Sequence, residues 1–401
     1  MKYSIYNILV IPDIHWGAIH PNDTVKALQY IPEFIEECFK NDVDIDLLVI
    51  AGDYFDAKLP LNSREAILAI QWFHDLYGTA VRCGVGKIRM MQGTLEHDND
   101  QLEVFEPLVQ QDSDFFNIFY KTTLEETLPG LTCVYCPDET IYTSDYEEIY
   151  VNEICTMKDI GFFHGSFDVV YGSLLDSHPD ILEKKNVMFR YGLWNKSIYG
   201  PMISGHWHDG KTYDDLIYVG SPYRYKFNEE EPKGIGFVSY NTKSHAYHYQ
   251  KILNPLCAEY ITYEIYSNIY QTKEDYKLIS DEIDTIIKQF RDESFVENKL
   301  RLKIYIVDDK PENEIFISSL RQKIINDKNI KITIKNKLKD KRKKEVIQSN
   351  IDRQKKYSFI QDKTKKPYEV IHDFIMTNNP EADVPVEFIK EKVQKYITGK
   401  E

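Results

Sequence analysis

The side chains best suited to chemistry lie in five short polar segments in the first half of the chain. Their reactive positions hold carboxylates and imidazoles, the mixed donor set that binds Mn, Fe or Zn rather than Ca. A pair of such ions, about 3.5 to 4 Å apart, activates water and steadies both the attacking and the leaving oxygen of a phosphoryl transfer. The segments are PDIH (Asp13, His15), AGDYFD (Asp53, Asp56), GTLEHD (Glu96, His97, Asp98), FFHG (His164) and SGHWHDG (His206, His208).

The spacing within these segments predicts how they share two ions. Asp53 follows Gly52 in a predicted turn, and a carboxylate has two oxygens with which to bridge a metal pair. Asp13 and His15 alternate at a strand end and therefore point to one side, as do His206 and His208. Taken singly each segment is weak evidence, because an isolated histidine on an apolar run is more often a hydrogen-bonded core residue than a ligand.

Short apolar runs precede each segment. A strand, a helix and a second strand are predicted for Tyr6–Ile11, Thr24–Lys40 and Asp46–Ala51, as in a sheet that is buried on both faces. The later strands are Lys87–Met91, Ile160–Phe163 and Pro201–Ile203. The segments thus gather at the carboxyl ends of strands, where open α/β sheets place their sites. All five occur in one chain, each directly after a predicted strand, which favours a metal centre in an α/β domain spanning residues 1–253.

The second part of the chain has a different pattern. Beyond Asn254, alternating strand and helix patterns predict a compact α+β domain over residues 254–336, with helices at Lys273–Phe290 and Asn313–Ile325. A basic linker is predicted at 337–356. Two amphipathic helices, Pro367–Thr377 and Val386–Ile397, are expected in a C-terminal segment at 357–401, where they pack either on a partner or on their own domain.

Charge and composition restrict the class of protein. The formal net charge is -15, yet 15 Lys and Arg against four acids between Lys328 and Lys366 make that stretch locally +11. Such a stretch suits binding along phosphates, although a solvated linker has the same composition. No apolar run is long enough to span a bilayer, and the six cysteines form no disulfide framework, so a cytoplasmic protein is expected. Cys133 and Cys136 lack the second pair that a structural zinc site needs.

The five segments, in this order, resemble the calcineurin-like metallophosphoesterases, whose pattern is DxH, GDxxD, GNHD, a single H and GHxH. More narrowly, the chain resembles the nuclease subunit of double-strand-break-repair complexes, the bacterial SbcD exonuclease and its phage recombination-endonuclease relatives. The stretches LVIAGDYFDAKLPLNS and VGSPYRYKFNEEEPKGIGFV are typical of that subfamily. The resemblance covers residues 6–240 by motif and the remainder by architecture only.

The resemblance implies a four-layer α/β sandwich of sheets flanked by helices, followed by a smaller α+β capping domain that binds DNA and by C-terminal helices. It implies two divalent ions, with Mn²⁺ as the expected metal. The ligand sets it implies are Asp13, His15, Asp53 and His208 for the first ion, and Asp53, Glu96, His164 and His206 for the second.

The same resemblance makes His97 the catalytic histidine and Asp98 the residue that orients it. The segment GTLEHD departs from the family's GNHD. It has two additional residues, and Glu96 stands where the ligand asparagine is expected. A glutamate coordinates through oxygen as asparagine does but adds a negative charge.

Three functions remain open. The first is a Mn²⁺-dependent DNA nuclease, 3'-to-5' exonuclease on duplex ends and endonuclease on single strands, acting as a homodimer. Because the chain has no GxxxxGK[ST] loop, its ATPase would be a separate coiled-coil subunit of the SbcC type. The second is a metallophosphatase or cyclic-nucleotide phosphodiesterase with the same metals. The third is a scaffold that has kept the fold without the chemistry, against which the intact His97, Asp53 and GHWH count.

Overall fold

The computed structural model describes residues 5–138, 151, 158–172, 187–229, 231–266, 273–293, 298–306, 311–325, 327–336, 365–378 and 385–391. The chain divides into two compact units, which are considered separately. The larger unit comprises residues 1–262 and 289–301, and the smaller comprises 263–288 and 302–401. The larger unit thus extends past the boundary predicted at 253/254.

One six-stranded sheet carries the first three site segments. Its order is β14-β13-β1-β2-β3-β4, with β1 to β4 parallel and β13 antiparallel to β1 and to β14. These apolar, β-branched runs form central strands because both of their faces are covered. The strands are β1 (Ile5–Ile11), β2 (Leu47–Ala51), β3 (Lys87–Met91), β4 (Phe116–Phe119), β13 (Gly234–Asn241) and β14 (Tyr247–Leu253).

A second six-stranded sheet carries the other two segments. Its order is β11-β12-β10-β7-β6-β5; the central four strands are parallel and the edge strands are antiparallel to their neighbours. The strands are β5 (Thr123–Leu128), β6 (Leu131–Cys136), β7 (Ile160–His164), β10 (Met202–Gly205), β11 (Lys211–Tyr213) and β12 (Leu216–Tyr218). A small parallel pair joins β8 (Ser166–Phe167) to β9 (Val187–Phe189).

The two sheets share an apolar core. It forms because successive side chains of each strand point to opposite faces of the sheet. Ile8 and Val10 of β1 join Phe162 of β7 and Ile203 of β10 in one buried cluster. Leu9, between them, faces the opposite side and packs in a cluster with the helices. Because successive strand side chains point to opposite faces, β1 contributes to both cores.

Helices cover the outer face of the first sheet. The longest of them, α3, begins at Ser63, whose side chain accepts a hydrogen bond from Ala66 N and so caps the helix. Its buried residues, including Ala69, Phe73, Leu76 and Ala80, recur every three or four positions and form one apolar face. The helices of this unit are α1 (Pro21–Leu28), α2 (Tyr30–Lys40), α3 (Arg64–Arg82), α4 (Glu106–Gln111) and α5 (Tyr191–Trp194).

The remaining elements follow the predicted alternation closely. A three-stranded sheet has the order β15-β16-β17, with β15 at Tyr260–Tyr266, β16 at Lys299–Ile306 and β17 at Ile330–Asn336. The helices are α6 (Lys273–Glu293), α7 (Pro311–Ile324) and α8 (Pro367–Asn378), so each predicted helix here agrees within three residues at either end. Residues 386–391 are helical. The predicted basic linker at 337–356 and the end of the last helix lie outside the described residues.

The molecule therefore has an α/β fold with parallel-rich sheets, as the sequence predicts. Among the described residues, no helix combines the length and the apolar character that crossing a bilayer requires.

Candidate metal centre

Four strand ends deliver six of the candidate ligands. Asp13 and His15 follow β1, and Asp53 follows β2. His164 is the last residue of β7, and His206 and His208 follow β10. Since the parallel strands of each sheet end at one edge, the two sheets present their polar residues on the same side of the core.

The side chains of these strand ends converge into three groups. Within each group, one donor atom from every residue lies within 4.8 Å of the others, and the groups are Asp13, His15 and His208; His15, Asp53 and His97; and Asp53, His164 and His206. The first and third groups contain six of the seven residues predicted as metal ligands. The middle group joins them through His15 and Asp53.

Asp53 lies between the two ligand sets, with one oxygen facing each. Its Oδ2 lies 3.4 Å from His15 Nε2, and its Oδ1 lies 3.2 Å from His164 Nε2. The backbone N–H of Thr94 donates a hydrogen bond of 2.6 Å to Oδ1. Asp53 is 2% exposed, so its carboxylate has little access to solvent. This is the arrangement that a bridging ligand requires.

Several of the buried polar atoms have no hydrogen-bond partner in the part of the chain that the structure describes. They include Asp13 Oδ2 and both ring nitrogens of His15, near which Asp53 Oδ2 (3.4 Å from Nε2) and Asp56 Oδ1 (3.2 Å from Nδ1) lie without hydrogen-bond geometry. A buried polar atom without a partner costs about 1 to 3 kcal/mol, so native proteins seldom leave three in one place. The donor set of imidazole nitrogens and carboxylate oxygens fits first-row divalent metals. The residues present therefore fit a divalent metal centre.

The backbone at the strand ends adopts a rarely used conformation. Asp13, His15 and Asp53 have φ values of 50°, 50° and 49°, and His206 has φ 80°. Such left-handed conformations are uncommon for residues other than glycine and cost on the order of 1 to 3 kcal/mol each. Backbone hydrogen bonds from Asp13 N to Gly52 O (3.1 Å) and from His15 N to Asp53 O (2.9 Å) hold the first two turns together. The strained turns occur where the candidate ligands lie.

Glycine allows the loops to approach this closely. A Cβ on Gly93 would lie 2.0 Å from Asp53 N, and one on Gly52 would lie 2.2 Å from His164 Nδ1. Neither site has room for a side chain. Gly52 of AGDYFD and Gly93 of GTLEHD are therefore needed for close contact of the end of β2 with the ends of β7 and β3.

Three side chains of the centre have strongly shifted pKa values. Burial alone would raise the pKa of Asp53, but His164, His15 and His97 outweigh it and hold this pKa well below its usual value. Burial opposes charge on His164, yet Asp53, Asp13 and Asp138 raise its pKa to about 10. His206 shows the reverse: burial and the neighbouring His164 lower its pKa to about 4. A metal bound at His164 would thus replace a proton.

Hydrogen bonds select which ring nitrogen of each histidine is available. His164 Nδ1 donates to the carbonyl of Ala51 at 2.8 Å, and His97 Nδ1 donates to the carbonyl of Asp56. A nitrogen that donates to a carbonyl carries a proton, so Nε2 is the ring nitrogen of each histidine that could bind a metal or exchange a proton. The His97 ring lies 4.7 Å from the His15 ring, centroid to centroid.

Asp98 has a different contact from the predicted one. Its carboxylate accepts hydrogen bonds from Phe55 N (2.9 Å) and Gly93 N (2.7 Å), and the residue is fully buried. Burial and the charge of Asp53 raise the pKa of Asp98 to about 7. Asp98 thus ties the loops after β2 and β3 together, whereas the carbonyl of Asp56 accepts the hydrogen bond from His97.

Glu96 does not join the other predicted ligands. It is exposed and belongs to none of the three donor groups found among the described residues. Thr94, directly after Gly93, lies in its place, with Oγ1 at 3.4 Å from Asp53 Oδ2 and 3.5 Å from His164 Nε2. In the family pattern GNHD the asparagine also follows the glycine directly. The two additional residues therefore lie after the ligand position, a signal that counting from the glycine would have found.

We expect Glu96→Gln to leave metal binding within about twofold of the native chain, because an exposed carboxylate contributes little. We expect Thr94→Ala to weaken binding of the second ion by about tenfold, in the range found for groups that support metal ligands. Metal titration of both purified variants measures this. A large loss in Glu96→Gln alone would return the ligand role to Glu96.

A second cluster of side chains holds His208. Glu229 Oε1 lies 3.2 Å from His208 Nδ1, and the buried ammonium of Lys233 lies 3.4 Å from Glu229 Oε2. Lys233 also donates to the backbone oxygen of His208 at 2.8 Å, and the Tyr225 hydroxyl contacts His208 Nε2. Sequence reasoning missed these residues as site residues, although they lie in the stretch VGSPYRYKFNEEEPKG on which the resemblance rested.

We expect Glu229→Gln to weaken binding of the first ion by about 10- to 100-fold, because a carboxylate on the far nitrogen orients the ring and makes it a better donor. Glu231→Gln, an exposed neighbour, serves as the matched control. Metal content and thermal unfolding should be measured together, since the change also removes a partner of the buried Lys233. Unchanged metal affinity in a folded Glu229→Gln protein would contradict the orienting role.

Comparison with known proteins identifies no family for this chain. No protein-family model matches the chain, and no curated protein matches it.

Proposed function

We propose that the chain is a two-metal phosphoesterase and, more specifically, a DNA nuclease. The observation that carries the proposal is the position of Asp53, whose two oxygens face separate groups of ligands. Residues from four other strand ends, those of β1, β3, β7 and β10, lie around it. A shared carboxylate between two donor sets suits phosphoryl transfer better than it suits a structural metal site.

Bound divalent ions would polarise the phosphate and lower the pKa of a water molecule at the centre. The chain's own residues supply the rest of the chemistry. The first ion would be held by Asp13, His15, Asp53 and His208, and the second by Asp53, His164 and His206 with Thr94 beside them. His97 is oriented through its Nδ1. Its Nε2 would donate a proton to the leaving oxygen or stabilise that oxygen by a hydrogen bond.

The strained turns and the tight loop packing place these groups before substrate arrives. Asp98 holds the loops after β2 and β3 by its two backbone hydrogen bonds. Glu229 orients the His208 ring through Nδ1, and Nε2, which the Tyr225 hydroxyl contacts, is the nitrogen that would bind a metal. Little reorganisation is then needed during the reaction, and this preorganisation is a major source of catalysis at charged transition states.

The finer features of the proposal rest on the motif resemblance. They are a four-layer metallophosphoesterase sandwich, Mn²⁺ as the metal, DNA as the substrate, 3'-to-5' exonuclease and single-strand endonuclease activities, a homodimer, and a coiled-coil ATPase partner of the SbcC type. The motif set from PDIH to SGHWHDG and the stretch after it support them. The same motifs also suit a metallophosphatase or a cyclic-nucleotide phosphodiesterase.

One experiment separates these activities. The purified full chain, first stripped of metal, is given Mn²⁺, Mg²⁺ or Zn²⁺ and then end-labelled duplex DNA, circular single-stranded DNA, a cyclic nucleotide or a chromogenic phosphate ester. We expect Mn²⁺-dependent cleavage of both DNA forms. Hydrolysis of the small esters alone would favour the phosphatase or phosphodiesterase, and no hydrolysis with any metal would refute the enzymatic proposal.

A further inference from the structure

Aromatic rings and cations alternate on the surface that leads away from Tyr225. The Arg301 guanidinium lies 4.8 Å from the centre of the Phe227 ring, and that ring lies 5.0 Å from the Tyr260 ring. The Lys299 ammonium lies 4.8 Å above the Tyr260 ring. With Lys226, these residues form what we call the aromatic–cation strip: Lys226, Phe227, Tyr260, Lys299 and Arg301. All five belong to the larger unit.

The strip faces solvent because of the alternation along β16. Leu300 and Leu302 lie on one face of the strand and are buried. Lys299 and Arg301 alternate with them, lie on the other face and are partly exposed. Phe227 and Tyr260 are also partly exposed, and Lys226 is exposed. The rings and charges of the strip are therefore accessible to a ligand.

Arg301 is held in a defined orientation. Its Nε and one Nη donate to Thr262 Oγ1 at 3.2 and 2.9 Å, and the same Nη donates to Asn228 Oδ1 at 2.5 Å. These bonds use three of the five guanidinium N–H donors. An arginine fixed in this way loses little conformational freedom when it binds a phosphate.

The strip is continuous with the metal centre. The Tyr225 hydroxyl contacts His208 Nε2, its ring lies 4.9 Å from the His15 ring, and the Lys226 ammonium lies 5.2 Å above the Tyr225 ring. Phe227 follows Tyr225 by two residues, so their Cα atoms are at most about 7 Å apart. A stacked strand places a phosphate about every 3.4 Å, so the strip begins within a few nucleotides of the ligands.

We propose that the aromatic–cation strip holds an unpaired strand of nucleic acid beside the metal centre. Bases stack against the exposed parts of Phe227 and Tyr260, and phosphates contact Lys226, Lys299 and Arg301. Stacking platforms interleaved with cations are how proteins hold single strands without sequence preference, because every base has a flat π-face. The inference rests on the proposed function and adds the surface and the residues that hold the strand.

An acidic polypeptide would use the three cations but would have no use for the two rings. A paired duplex would offer its phosphates but not its base faces, since those are stacked within the helix. The rings therefore distinguish a single strand from either of these ligands.

The test measures binding in the full chain with His97→Asn in every sample, so that cleavage of the strand is slowed by about 100-fold or more during the measurement. Fluorescence anisotropy with a labelled single-stranded oligonucleotide gives the Kd across a series of salt concentrations. The variants are Phe227→Leu, Phe227→Tyr, and a triple change to Gln at Lys226, Lys299 and Arg301. The controls are Tyr199→Leu, an aromatic that is 50% exposed before β10, and Arg82→Gln at the end of α3.

We expect Phe227→Leu to weaken single-strand binding by about tenfold with an unchanged salt slope. Phe227→Tyr should keep native affinity, because it keeps the ring on which a base stacks. The triple variant should reduce the slope of log Kd against log salt by about 2, because each phosphate that is no longer neutralised lowers the slope by about 0.7. Both controls should stay within twofold of the parent.

The strip proposal is overturned if Phe227→Leu binds the oligonucleotide as tightly as its parent, or if it loses affinity for polyglutamate equally. Cleavage of DNA by the native chain is scored separately. Native cleavage with an inert strip would refute this inference alone. Single-strand binding through the strip without any DNA cleavage would refute the nuclease while leaving the strip in place.

Discussion

Asp53→Asn should reduce metal-dependent hydrolysis by at least about 10³-fold, while the protein remains folded. The change keeps the size of the side chain but removes the charge and one of the two oxygens that face His15 and His164. A bridging carboxylate that stabilises the transition state by several kcal/mol corresponds to about this loss in rate. Rate measurements and metal content per chain, read together, test the prediction.

The metal content makes the Asp53 result specific. We expect fewer than two ions per chain in Asp53→Asn, because one carboxylate serves both ligand sets. Asp100→Asn is the matched control, as it is an exposed aspartate in the 3-10 helix (Asn99–Phe105) that follows β3. Two tightly bound ions together with native activity in Asp53→Asn would remove the bridge on which the two-metal proposal depends.

His97→Asn should lower the rate by about 10² to 10⁴-fold with both ions still bound. This range is typical for loss of a group that transfers a proton in the transition state. His97 is half-buried, its Nδ1 is occupied by the Asp56 carbonyl, and its ring lies 4.7 Å from that of His15. Single-turnover rates at saturating metal measure the chemical step without interference from weakened binding.

The structure allows a second role for His97, which the same variant distinguishes. Because His97 shares a donor group with His15 and Asp53, it is also placed to coordinate an ion. If His97→Asn loses an ion and excess metal restores its activity, His97 is a ligand and not the proton donor. His74→Asn, an exposed histidine on α3, should change neither rate nor metal content.

The five strands that precede the site segments were predicted from local patterns, whereas the other seven strands of the two six-stranded sheets and helices α3 to α5 were not. The predicted strand Lys87–Met91 has the same bounds as β3, and the predicted strand Asp46–Ala51 begins one residue before β2. Burial on both faces makes these runs almost wholly apolar, so they differ clearly from the polar segments that follow. The predicted helix at Thr24–Lys40 is two helices, α1 and α2, which meet at Gln29, because periodicity does not show a break within one continuous apolar face.

The sequence identified those site residues whose type and position in a motif are enough to indicate a metal ligand. Asp13, Asp53 and His206 are such residues, and the structure brings them together. Thr94 was not predicted because a threonine in a loop has no distinctive metal signature, and because the additional residues of GTLEHD put Glu96 directly before His97, where the motif has its asparagine. Glu229 and Tyr225 depend on a contact with His208 that crosses 17 or more positions of the chain.

The sequence alone determined which donor types this protein has and in what order strand ends present them, because hydrophobic periodicity and turn residues act locally. Only the tertiary structure decided which oxygen of Asp53 faces which histidine and which nitrogen of His97 is engaged by a carbonyl. It also decided that the Asp98 carboxylate accepts hydrogen bonds from two loops and does not contact the His97 ring. Those choices depend on sub-ångström packing of two sheets against one another. The hydrogen bonds that set them join residues far apart in the chain, so no local pattern records them.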